Sequence, residues 1–190
     1  MRFFYALILS AFAALPARAE VDIQPVTSPG GITAWLVEEH SIPFVALEIR
    51  FRGGASLDAP GKRGAINLMT GLLEEGAGDM DARAFSRETE ALATNLSFDV
   101  SDDSLSVSAR FLTENREASI ELLRAALLEP RFDEDAVERV RGQVISNIQS
   151  NQKDPNEIAR QTFDKIAFGD HPYGSSLNGT LETVAGLTRD

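Results

Sequence analysis

The chain has 190 residues, 43% hydrophobic and 25% charged, which is the composition of a folded domain with an apolar core. Its formal net charge of −11 argues against nucleic acid as a partner, because phosphate binding needs clustered lysines and arginines. The sequence contains no cysteine, which excludes disulfides, thiolate catalysis and cysteine-based zinc sites.

A signal peptide is predicted over residues 1–19. A basic second residue precedes an apolar run over 3–15, and Ala17 and Ala19 form a small-x-small cleavage site. The run is shorter than the ~20 apolar residues of a membrane-spanning helix, so we expect cleavage and no membrane span in the mature chain. Residues 20–190 then form the exported domain, and the short leader favours the bacterial periplasm.

The first part of the mature chain predicts two strands followed by two helices. Residues 32–37 indicate a strand, and apolar and polar side chains alternate over 45–51 before a Gly-Gly pair ends the second strand. Helical spacing of apolar residues predicts a helix over 62–75, and a second helix is predicted over 82–92. The apolar stripe of the first helix consists of Ala65, Ile66, Met69, Leu72 and Leu73.

The second part predicts a β-hairpin and a run of helices. The hairpin covers 96–111 with a polar turn at 101–104, and Thr113 is predicted to cap the helix that follows. Two further helices are predicted over 137–148 and 156–168. Paired strands followed by helices predict an α+β fold, an antiparallel sheet layered with helices.

Local motifs do not predict a catalytic centre. The glycine-containing stretches lack the spacings that cradle phosphates, and the G-x-S-x-G elbow of serine hydrolases does not occur. His40 and His171 are far apart in sequence, and neither has a second histidine at helical spacing. Both are therefore interpreted as surface or loop histidines and not as zinc ligands.

The order of these elements, together with several local phrases, resembles the N-terminal domain of the pitrilysin/insulinase family, which includes the mitochondrial processing peptidases. The resemblance runs from about Asp22 to Asp190 and implies that family's α+β fold, truncated here before a second domain. The phrases that carry it are EEHSIPFVALEIRFRGGASLDAPGKRG, LLEEGAGDMDARAFSRETEALATNLSF and GDHPYGSSLNGT.

Active members of that family carry an inverted zinc motif, H-x-x-E-H, on the helix after the Gly-rich strand end. Histidines at i and i+4 share a helix face and bind zinc, while the glutamate activates the bound water. In this chain Asn67 and Gly71 occupy the histidine positions and Thr70 occupies the glutamate position. The resemblance puts the remaining ligand, a glutamate on a later helix, at Asn147. All four positions depart from the pattern, so neither catalytic nor metal residues are predicted.

The resemblance implies paired homologous halves or subunits that enclose a peptide chamber, often with zinc in one of them. We interpret this chain as a non-catalytic subunit, a pseudoenzyme inactive on its own, that forms a heterodimer with a zinc-bearing homologue and binds peptide substrates. Zinc is expected in the partner and not in this chain. Two alternatives stay open: a structural or peptide-binding protein with no proteolytic partner, and one half of a fused zinc peptidase.

Overall fold

The computed structural model describes residues 21–189, so the signal peptide predicted over 1–19 lies outside the described residues and stays a prediction. The chain separates into two compact units, the first ending at Ile42 and the second beginning at Pro43. Among the described residues, no helix combines the length and apolarity needed to cross a membrane.

The first unit contains an antiparallel hairpin of β1 (Gln24–Thr27) and β2 (Thr33–Leu36). Its turn includes Gly31 with a φ of +84°, a left-handed conformation that favours glycine. Strand β2 confirms the strand predicted over 32–37. Strand β1 was not predicted, because its four residues include a proline and are too few to show alternation.

The second unit combines an antiparallel sheet with helices, which confirms the predicted α+β fold class. Short 3-10 turns lie between some of these elements. In chain order the described elements are β3 (Phe44–Arg52), α1 (Ala65–Leu72), β4 (Gly76–Ala77), β5 (Met80–Asp81), α2 (Ala82–Ala91), β6 (Asn95–Val100), β7 (Ser104–Leu112), α3 (Arg116–Leu128), α4 (Glu134–Asn151), α5 (Pro155–Phe168) and α6 (Leu181–Ala185).

The main sheet has the strand order β3-β7-β6, with both pairs antiparallel. Leu47 of β3 is opposite Ala109 of β7, and Phe98 of β6 is opposite Val107 of β7. Because side chains alternate across a strand, one face of all three strands contributes apolar residues to the core. The predicted hairpin over 96–111 is confirmed as the β6–β7 pair.

Two apolar clusters meet at α1. The first lies between the sheet and helices α2 and α3, and it includes Leu73, which directly follows α1. The second joins α1 to α4 and α6 through Leu68, Leu72, Val140 and Val184. Helix α1 and the residue that follows it are therefore buried on two sides, a feature that decides how the candidate site is built.

Two predicted helix starts were wrong. Helix α1 begins at Ala65 and not at 62, because Gly64 has a φ of +98°, which is outside the helical region. Helix α3 begins at Arg116, after a 3-10 turn that includes Thr113. The Thr113 amide donates to the carbonyl of Pro43 at 3.0 Å, which ties this residue to the start of β3.

Candidate functional site

The start of α1 is held by a buried carboxylate. Asp58 accepts hydrogen bonds from the backbone N–H groups of Gly64 at 2.8 Å and Ile66 at 2.9 Å, and its side chain is 2% exposed. Arg63 lies 3.7 Å from the same carboxylate and supplies the compensating positive charge. A buried carboxylate needs both hydrogen bonds and a counter-charge, and Asp58 has both.

The guanidinium of Arg63 joins the β6–β7 turn and the loop at 172–175 to the segment before α1. It donates to the Asp102 carboxylate at 2.7 Å, to the Pro172 carbonyl at 3.1 Å and to the Ser175 carbonyl at 3.0 Å. It also donates to the carbonyl of Ala55 and to the Ser175 hydroxyl. The rigid fork of arginine donors suits this arrangement, and the side chain is only 14% exposed.

The loop between α5 and α6 packs against the start of α1. A side chain on Gly64 would meet the Asn178 carbonyl oxygen at 2.7 Å, and one on Gly179 would overlap the carbonyl oxygen of Arg63. Asn67 of α1 donates to the side-chain oxygen of Asn178 at 3.3 Å. The glycines therefore allow two backbone segments to touch, and this contact fixes the first turn of α1.

Three of the positions that the family resemblance assigns to the zinc motif lie on α1, but their side chains do not share one open face of the helix. Asn67 is half-buried, and Thr70 is 4% exposed and donates to the carbonyl of Ile66 at 2.7 Å. Gly71 is exposed, yet a Cβ atom there would lie 3.1 Å from Cγ1 of Val140 on α4. A side chain at this position would require the Val140 side chain to shift by a few tenths of an ångström.

Thr70 lies outside the apolar stripe predicted for α1, yet it is buried. The periodicity of α1 indicated a single apolar stripe, whereas the helix packs against both the sheet side and α4. Threonine tolerates this burial because its hydroxyl bonds to a carbonyl one turn earlier in the same helix. The hydroxyl thus forms a structural hydrogen bond within α1.

Within residues 21–189, metal donors are not gathered around α1. Asn147 is exposed on α4, and its side chain makes no hydrogen bond within residues 21–189. His40 is exposed 3.7 Å from Glu38, and His171 accepts a hydrogen bond from the backbone N–H of Tyr173 at 3.3 Å. Over the same residues, no three histidine, cysteine, aspartate or glutamate side chains come together to hold a metal ion.

Glu74 is the carboxylate next to the altered motif, and its pKa is raised above the ordinary glutamate value. Desolvation by neighbouring atoms is the main cause, followed by the negative charges of Glu75 and Asp99. Its side chain still reaches solvent, so water screens part of this effect. The folded chain therefore disfavours the charged form of the Glu74 carboxylate.

This raised pKa predicts a pH-dependent stability difference. The folded chain binds the Glu74 proton more tightly than the unfolded chain does, so the charged carboxylate reduces stability at pH values above the raised pKa. We expect Glu74→Gln to be more stable than the natural chain at pH 7 and the difference to vanish as pH falls below the ordinary glutamate pKa. Urea unfolding at several pH values measures it, with Glu90→Gln on α2 as the control for charge loss. A difference that grows with acidification would contradict the prediction.

Sequence reasoning did not find Asp58 and Arg63. Arg63 lies within the phrase ending in GKRG that carried the resemblance, so the only signal was that the phrase itself is typical of the family. The charge pair could not be read from spacing, because Asp102 is distant in sequence and reaches Arg63 only through the β6–β7 turn.

The fold and this site define an α+β domain in which, within residues 21–189, no cluster of metal donors accompanies α1. A family model described as Insulinase (Peptidase family M16) matches residues 34–181. The chain belongs to this family, as its sequence predicted.

One relative agrees with the prediction of an inactive homologue, and another is named as a zinc protease. The chain is 26% identical over 189 residues to "Non-peptidase homolog YmxG" of Helicobacter pylori, covering all of this chain and 43% of the relative. It is 26% identical over 165 residues to an "Uncharacterized zinc protease" of Mycobacterium leprae, covering 86% of this chain and 37% of the relative. This chain thus spans about two fifths of the length of these curated relatives.

A solved structure confirms the fold. The crystal structure of a "peptidase M16 inactive domain" from Pseudomonas fluorescens superimposes with a TM-score of 0.84 at 23% sequence identity. The match covers 89% of this chain and 41% of that one. The likeness in structure is therefore far greater than the likeness in sequence.

Proposed function

We propose that this protein is an exported, zinc-less subunit that pairs with an active zinc-bearing homologue in the bacterial periplasm and helps it to bind and degrade or process peptides. One observation carries the proposal: the helix scaffold is retained while the residues at the four functional positions are changed. Zinc is proposed to reside in the partner.

The retained scaffold argues against simple decay of an enzyme. Asp58 and Arg63 hold the start of α1 through buried hydrogen bonds and an ion pair, and the Asn178–Gly179 loop packs on the same turn. Buried polar contacts of this kind are costly to disrupt, so the position of α1 is well defined in this domain.

The residues at the altered positions argue against catalysis by this domain. Glycine at position 71 has no donor atom, and the hydroxyl of Thr70 is already bonded inside the helix. Catalytic zinc sites use three protein ligands and an open position, and a zinc-activated water also needs a general base. A subunit role therefore accounts for both the intact scaffold and the altered site.

The test compares the full-length protein alone with the same protein co-expressed with a zinc-bearing M16 homologue. Both are purified from the periplasmic fraction, and bound zinc and the cleavage of an unstructured fluorogenic peptide are measured. We expect substoichiometric zinc and no cleavage for the protein alone, and chelator-sensitive cleavage for a stable complex. Stoichiometric zinc or chelator-sensitive cleavage by the protein alone would overturn the proposal.

The same experiment separates the alternatives. Peptide binding without any complex favours a structural or peptide-binding homologue that has no proteolytic partner. Zinc bound by the full-length protein through a further domain, with cleavage that does not need the homologue, favours one half of a fused peptidase. In that case the lack of catalysis is confined to the domain described above.

A further inference from the structure

A pocket of about 260 Å³ lies between α1, the segment that leads into α4 and the residues that follow α6. We call it the apolar pocket, because its wall consists mostly of apolar side chains, including Ile66, Leu68, Met69, Phe132, Val137 and Leu187. None of the four altered motif positions lines it. An apolar cavity of roughly 150 Å³ holds a benzene molecule, so this pocket has room for one large apolar side chain.

Phe132 has an unusual backbone conformation in the wall of the apolar pocket. Its φ is +49°, in the left-handed region that is unfavourable for a bulky residue. The neighbouring Arg131 fixes this turn, because its N–H donates to the Gly76 carbonyl at 3.2 Å and its guanidinium donates to the Gly78 carbonyl at 3.1 Å. The Phe132 ring packs against both apolar clusters. Strained backbone persists only where its surroundings enforce it, so this part of the wall is set by the fold.

Both charged side chains at the rim of the apolar pocket are cationic. Lys62 and Arg189 line it, and within residues 21–189 no carboxylate does. The Lys62 ammonium makes no hydrogen bond or ion pair in that part of the chain. Arg189 acts electrostatically on Asp133, but both oxygens of that carboxylate already accept hydrogen bonds from Arg131. The rim is therefore locally positive in a chain whose formal net charge is −11.

An apolar pocket with cations at its rim complements a ligand that carries an apolar group next to a carboxylate. The last residue of a peptide has this chemistry, because its side chain and its free carboxylate are attached to the same Cα atom. The side chain can enter the pocket while the carboxylate stays at the rim and accepts charge-assisted hydrogen bonds. An internal aspartate or glutamate lacks this combination, since its carboxylate is at the tip of the side chain.

We propose that the apolar pocket binds the C-terminal residue of a peptide, with a large apolar side chain inside the pocket and the free carboxylate at Lys62 and Arg189. The apolar wall selects the side chain, and the absence of lining carboxylates within residues 21–189 favours an anionic end group. This inference goes beyond the subunit role proposed above, and it does not depend on zinc or on a partner subunit.

The test measures fluorescence anisotropy of labelled Gly/Ser peptides with the full-length protein at low salt. One peptide ends in leucine with a free carboxylate, a second ends in leucine carboxamide, and a third ends in serine with a free carboxylate. We expect the first to bind at least ~10-fold more tightly than the second, because the carboxamide loses the charge-assisted hydrogen bonds. It should also bind at least ~10-fold more tightly than the third, which buries no leucine side chain.

Variants of the protein identify the site. Lys62→Gln should weaken binding of the leucine free-acid peptide by about tenfold and leave binding of the carboxamide unchanged. Lys153→Gln, at an exposed position after α4, removes the same charge outside the apolar pocket, so it should bind as the natural protein does. Equal affinity for the free acid and the carboxamide, or an equal effect of the two substitutions, would overturn the proposal. Absence of saturable binding, as when another part of the full-length protein fills the pocket, would overturn it as well.

Discussion

Replacing Arg63 with alanine is expected to lower the free energy of unfolding by about 3 kcal/mol, since it removes one partner from a buried ion pair. The change leaves the carboxylate of Asp58, which is 2% exposed, without its counter-charge. It also removes the donors to Asp102, Pro172 and Ser175, which join the β6–β7 turn and a distant loop to α1. Urea denaturation followed by circular dichroism measures the loss.

The expected loss of about 3 kcal/mol lies at the lower end of the range for removing one partner of a buried ion pair, and the structure explains why. Asp102 is 32% exposed, so water replaces part of what it loses, and Asp58 keeps its two backbone donors. Arg63→Lys should fall between the natural chain and alanine, because it keeps the charge and loses the fork. Arg52→Ala, at the exposed end of β3, controls for removal of an arginine. Equal stability of the Arg63 and Arg52 variants would show that the buried network does not stabilise the fold.

Replacing Gly179 with alanine should lower the free energy of unfolding by about 3 kcal/mol through two separable effects. Gly179 has a φ of +77°, where a side chain costs roughly 1–2 kcal/mol. An added Cβ would also overlap the backbone carbonyl oxygen of Arg63, and relieving such a clash typically costs a further ~1–3 kcal/mol. Thermal and urea unfolding of the purified variant measure the sum.

Gly61 offers a matched control within the same chain. Its φ is also +77°, but nothing lies within 4 Å of a Cβ built at this position. Gly61→Ala should therefore show the backbone effect alone, and the difference between the two variants reports the contact between the Asn178–Gly179 loop and the start of α1. If the two substitutions are equally destabilising, the close contact at Gly179 does not contribute to stability.

The two substitutions bear on the functional proposal as well. Both weaken the attachment of α1, the helix whose shape is retained although its zinc-motif positions are altered. A subunit whose role depends on this shape should lose partner binding in proportion to the loss of stability.

Short-range patterns in the sequence determined most of the elements. Alternation identified β3 and the β6–β7 hairpin, and helical spacing identified α1 to α5, because both signals lie within a few neighbouring residues. Among the strands and α-helices of two to five residues, β2 was predicted, whereas β1, β4, β5 and α6 were missed because such short runs show a period poorly. The helix starts at Gly64 and Thr113 were misplaced because backbone conformation and a long-range hydrogen bond set them.

The sequence by itself also determined the family, because the phrases that resemble it follow one another in the family's order. The assignment of Asn67, Thr70, Gly71 and Asn147 to the zinc-motif positions stays a prediction. Only the tertiary structure decided that Thr70 is buried, because α1 packs on two sides and periodicity reports one apolar stripe. The same holds for the partners of Arg63. Ion pairing is a property of the folded chain, since folding brings charges together that sequence spacing does not relate.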